Sequence, residues 1–117
     1  MSTAAQVLAV VIAAMLVMVF VMESFRYRSP RLYPLFLTRP EDFQAVRLWT
    51  VNLGFYNLTT AIALLIGVVL DIDALVVFTA AQHVFLAVVL VVTERRLWFN
   101  SLLEGIPALA LLILATR

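Results

Sequence analysis

The stretch Asn52-Leu53-Gly54-Phe55-Tyr56-Asn57 sets two amides, a phenol and a glycine inside a segment otherwise apolar enough to cross a bilayer. Polar side chains at membrane depth are costly unless they face protein or water. This stretch therefore predicts a helix whose polar side turns toward other helices, and those helices must bring partners. Reading outward from it, the chain is all-α: a polytopic membrane protein built as a four-transmembrane-helix bundle.

Composition agrees. Of 117 residues, 65% are hydrophobic, and the mean hydropathy is +1.10. Soluble domains hold about 45–50% apolar residues, and a soluble domain this short could not hide the excess. Several runs of about 18 or more nearly uncharged residues have the length of spanning helices. Three glycines and four prolines argue against a β-barrel, as does the lack of in–out alternation in the long runs. Cysteine is absent, which excludes a disulfide framework or a thiolate site. One histidine and seven acids leave only a nitrogen/oxygen metal site, and a poor one, so no metal or cofactor is expected.

The expected spans are residues 4–25, 46–70, 74–93 and 98–116, within a single integral membrane domain over residues 1–117. The first run has no basic residue before it and no clean small-x-small site after it, so it reads as a retained helix rather than a signal peptide. Residues 26–47 form a basic, proline-broken segment. Tyr27, Tyr33 and Phe36 suit the headgroup boundary, where aromatic rings concentrate. Pro40-Glu41-Asp42 marks a helix start, with proline in the first turn and acids at the positive end of the dipole. Asp71-Ile72-Asp73 and Thr93-Glu94-Arg95-Arg96 are short connections.

All eight basic residues are Arg, and seven of them lie in the first and third connections. Positive charge stays on the cytoplasmic side. Four spans in a cell membrane with both Arg-rich loops in the cytoplasm put both termini outside. Membrane lipids are the expected partners. Nucleic acid is not, because topology and headgroups account for the arginines.

The polar residues of the spans form a candidate ligand-binding set: Glu23 on the first helix, Asn52, Tyr56 and Asn57 on the second, Gln82 and His83 on the third, and Glu104 on the fourth. Their depths overlap in the inner half of the bilayer, and inward-turned faces would enclose one polar cavity open to the cytoplasm. Asn52 and Tyr56, four positions apart, share a face and are the expected contacts of Glu23. Each residue also has a structural reading. Glu23 can reach the interface and pair with Arg26 or Arg47. The amides can act as glue between helices, and His83 can be a packing residue. Ser101-Leu102-Leu103-Glu104 matches the S-x-x-E capping box, which would start the fourth helix near Ser101. Gly54, Gly67 and Gly105 read as points of close helix contact.

Three short motifs carry a family resemblance: Met22-Glu23-Ser24-Phe25, Asn52-Leu53-Gly54-Phe55-Tyr56-Asn57 and Glu104-Gly105-Ile106-Pro107-Ala108. The chain resembles, over nearly its whole length, a bacterial and fungal group of small four-helix membrane proteins known as domain of unknown function 1304. In that family Gln stands where this chain has Leu53 and Glu104. The resemblance implies the fold and the polar cluster, and no activity. Two functions then stand open. One is a binding or transport module for a small polar or cationic ligand or a lipid headgroup. The other is a structural or accessory subunit whose polar residues are interhelical glue. An intramembrane enzyme has no nucleophile or metal motif to support it, and no catalytic residue is assigned. A homo-oligomer is a further expectation, with Ala61, Ala63 and Gly67 as small-residue surfaces.

Overall fold

A computed structural model describes all of residues 1–117 and is all-helical, with four long helices and no strands. Helix α1 is Thr3–Phe25, α2 Phe43–Val69, α3 Asp73–Thr93 and α4 Trp98–Ala115. Four stretches, Thr3–Ser24, Pro40–Val69, Asp73–Thr93 and Arg95–Ala115, are long and apolar enough to cross a membrane.

The helix ends follow local chemistry. Ser2 Oγ accepts from the Ala5 amide at 3.1 Å and starts α1. Before α2, Pro40–Asp42 forms a 3-10 turn. There the Arg39 amide donates to the Asp42 carboxylate at 3.1 Å. A helix start at Pro40 needs no partner for the amide that proline lacks. The α2 end closes over Asp71, which takes the left-handed conformation (φ 54°). The Ile72 amide donates back to the Gly67 carbonyl at 2.8 Å, a Schellman closure. Asp71 tolerates this conformation better than most residues that carry a Cβ.

The chain divides into two compact units, one of residues 1–13 with 62–117, the other of residues 14–61. In the second unit the end of α1 runs against the first half of α2. Ser24 Oγ donates to the Val51 carbonyl at 2.9 Å. Phe20 meets Phe25 and Phe55 edge-to-face at 5.4 and 4.9 Å between ring centroids. Gly54 is required at this approach, because a Cβ there would fall on Ser24 Oγ and lie 3.0 Å from the Phe20 carbonyl oxygen. The 26–42 connection packs on the start of α2. Tyr27 is buried, and Tyr27 and Tyr33 stack edge-on against Phe43. The Arg28 guanidinium lies 5.5 Å from the Tyr27 ring centroid.

In the first unit α3 and α4 form an antiparallel hairpin across a 3-10 turn at Arg95–Leu97. Here too small residues mark the contact: a Cβ on Gly105 would lie 2.9 Å from Ala87 Cβ.

These helices are apolar on nearly all sides, so hydrophobicity does not distinguish a buried face. Residue size does. Ala5, Ala9 and Ala13, spaced four apart, are buried on α1, and Ala61 on α2, Ala80 and Ala87 on α3 and Ala108 on α4 are buried as well. Small side chains let helix backbones approach where lipid gives no hydrophobic drive for association. Ala61 and Gly67 are buried within the chain and Ala63 is half-buried.

Candidate functional site

Four of the seven candidate residues meet in two pairs, one in each unit. In the unit of residues 14–61, Asn57 Nδ2 donates to Glu23 Oε1 at 2.6 Å. Glu23 stands two residues before the end of α1. A hydrogen bond to a carboxylate is charge-assisted and stronger than one between neutral groups. Asn57 reaches Glu23 because it lies three residues from Gly54, on the side of α2 turned to α1.

Asn52 and Tyr56 occupy a different side. Both are exposed, and Asn52 Nδ2 donates to the Leu48 carbonyl of its own helix at 2.8 Å. Tyr56 is 67% exposed. Gln82 is also exposed, off the buried stripe of α3 that comprises Val76, Thr79, Ala80, His83 and Ala87.

In the other unit His83 Nδ1 lies 3.1 Å from Glu104 Oε1. His83 is ten residues from each end of α3, about 15 Å along the axis at 1.5 Å per residue. That is the midpoint of a span matched to a hydrocarbon core of about 30 Å. The His83 side chain is 5% exposed and that of Glu104 30%. The opposite nitrogen, Nε2, is buried and has no hydrogen-bond partner. One turn toward the basic end, Ser101 Oγ donates to the Ala87 carbonyl and ties the same two helices.

This bond and the start of α4 at Trp98 revise the capping-box expectation. Helix α4 begins three residues before Ser101. Ser101 is thus already inside the helix with its hydroxyl turned to α3, and Glu104 is spent on His83. The carboxylate that does bind free amides is Glu94, which accepts from the Arg96 backbone amide at 3.2 Å. It also takes Arg96 Nε and Nη2, each at 3.0 Å. The Arg96 side-chain hydrogen bonds hold the exposed Glu94 carboxyl below its ordinary titration range.

Ser24 and Ser101 are interhelical bonds that the polar-cluster reading did not include. Their sequence neighbours are not small, and only the folded contacts, Ser24 against Gly54 and Ser101 against Ala87, reveal them. No cluster of three or more His, Asp or Glu side chains suited to a metal ion is present. Two hollows lie away from the polar pairs. One of about 470 Å³ is lined by Met1, Ser2, Asp73, Leu114, Ala115 and Arg117. The other, about 270 Å³, is lined by Gln6, Val7, Val10 and Val11.

A family model described as a protein of unknown function (DUF1304) matches residues 10–116. No curated protein and no solved structure matches the chain.

Proposed function

The chain belongs to the DUF1304 family of unknown function, and from that premise we propose an integral membrane protein that binds a small cationic ligand at His83 and Glu104. The observation that carries this reading is an ionisable pair joining the midpoint of α3 to a position six residues into α4, with one imidazole nitrogen left unpartnered. Holding helices together does not require charge. Ser24 and Ser101 do so with neutral hydroxyls, each interhelical bond being worth about 0.6 kcal/mol on average. An ionisable side chain at mid-span costs about 2.5–3.5 kcal/mol on insertion scales. A carboxylate kept at such a cost is suited to a cation. A lipid headgroup sits about 15 Å away at the interface, so a free ligand fits the depth better than a headgroup does.

The orientation proposed with it puts the Arg-rich connections in the cytoplasm and both termini outside, on the seven-to-one distribution of arginine.

A second reading has its own support. Asn52, Tyr56 and Gln82 are exposed on segments apolar enough to span, where lipid offers them no hydrogen bonds. A partner protein, or a second copy, would cover them, as in an accessory subunit. Mass spectrometry of the protein purified in mild detergent separates the readings. A small cation retained by the wild type and lost from Glu104→Ala supports the ligand site. A wild type that carries no small molecule, but co-purifies with one protein in fixed ratio, rejects it in favour of the subunit.

A further inference from the structure

The structure leaves one buried side-chain atom unsatisfied, His83 Nε2. What that atom carries is tied to the charge of the pair. With Nδ1–H donating to the Glu104 carboxylate and no hydrogen on Nε2, the pair has a net charge of −1. One more proton brings the net charge to zero, and two of its arrangements change what Nε2 carries. The imidazolium can face the carboxylate, or a protonated Glu104 can donate to Nδ1. Both arrangements put a hydrogen on Nε2. The atom is a donor in both of these net-zero forms and a bare lone pair in the −1 form; it stays bare if Glu104 is protonated on its far oxygen.

A monovalent cation at Glu104 neutralises the −1 form. Added to the net-zero form, it would leave a charge of +1 at mid-span. Net charge there is penalised in either sign, so the two neutral options exclude each other: one extra proton, or one cation. Nothing else in this unit supplies a compensating charge nearby. Glu104 is the only ionisable side chain that α4 turns to His83. Residues 3–13 and 62–69 of the unit contain none, and α3 itself has only Asp73, at its first residue. Glu104 is the accessible member of the pair, at 30% exposed against 5% for His83. It follows Leu102 and Leu103, both exposed and apolar. An amphipathic, ammonium-type cation suits that approach.

We propose that an ammonium-type cation and a proton compete one for one for the His83–Glu104 pair, so that binding the cation releases a proton. This rests on the reading of the pair as a cation site. Charge balances: one positive charge enters and one leaves. The atoms balance as well, because the proton lost is the extra one of the net-zero pair and passes to solvent.

The test is calorimetric titration of the full chain in nanodiscs with tetrabutylammonium, a cation with no proton of its own. Runs in two buffers of different ionisation enthalpy count the protons released. The expected result on the acid side is one proton per cation, with affinity falling about tenfold for each pH unit. Glu104→Gln is expected to abolish both binding and release, whereas His83→Gln leaves Glu104 to carry the proton alone and is expected to move the pH range over which release occurs. Monodisperse elution of the variant shows that it folds, and the wild-type proton count decides the matter without it. Binding with no proton release and no pH dependence overturns the competition and leaves the cation site standing. Release in folded His83→Gln over the same pH range as the wild type overturns the role of His83. No binding at any pH overturns both the competition and the cation site.

Discussion

Glu23 accepts its 2.6 Å bond from an amide, a donor that does not titrate. Glu23→Gln keeps the acceptor oxygen and the shape while removing the charge assistance. It is expected to cost less than about 1 kcal/mol. Asn57→Leu takes away the donor altogether and is expected to cost about 1–3 kcal/mol. Unfolding in mixed micelles compares the two, and equal losses would contradict the assignment. Glu94 gives a prediction in pH. Its folded titration lies low because Arg96 binds the ionised form. A depressed carboxyl favours folding above the unfolded titration range, and that contribution is lost as pH falls through the folded value. Carboxyl-carbon NMR is expected to put the Glu94 midpoint below that of the unfolded chain, and Arg96→Gln to move it back up. That polar residues of α1 and α2 would meet was legible in the sequence; which ones would meet was not. Asn52 and Asn57 are five residues apart, roughly 140° around a helix, so they cannot share a face. In a helix apolar all round, the pattern of leucine and valine does not say which of them turns inward. Gly54 and Ala61 do, and they select Asn57.

At the scale of the element, the four helices were readable because long apolar runs broken by Pro, Asp and Arg leave few other solutions. The start of α4 was harder. Ser101 and Glu104 have the spacing of a cap, yet both side chains belong to the α3–α4 contact. The spacing that builds a cap also puts two residues on one helix face. The closest backbone approach in the 14–61 unit gives the sharpest test of an element. Gly54→Ala pushes a methyl group onto Ser24 and the Phe20 carbonyl. It is expected to lose about 1–3 kcal/mol, the usual cost of overpacking. It should also break the Ser24–Val51 bond. Ser24→Ala in the same background removes the hydroxyl and should recover part of the loss. Chemical denaturation of the single and double variants measures this, and a Gly54→Ala protein as stable as wild type would show that α1 and α2 do not pack so closely.

For the whole molecule, topology is the property most directly testable. Reporter fusions after Asp73 are expected to be active outside, and fusions after Arg96 inside, because the first basic segment and Arg95-Arg96 flank the spans on one side. Cytoplasmic activity from the Asp73 fusion would overturn the arrangement. The His83–Glu104 pair also bears on how such a chain is made. His83 leaves the ribosome 21 residues ahead of Glu104, so during synthesis the imidazole waits in α3 with no carboxylate to meet. Glu104 then arrives on the helix joined to α3 by the shortest basic turn in the chain. The efficient route into lipid is for α3 and α4 to enter together as a hairpin, each masking the other's polar atom before either faces hydrocarbon alone.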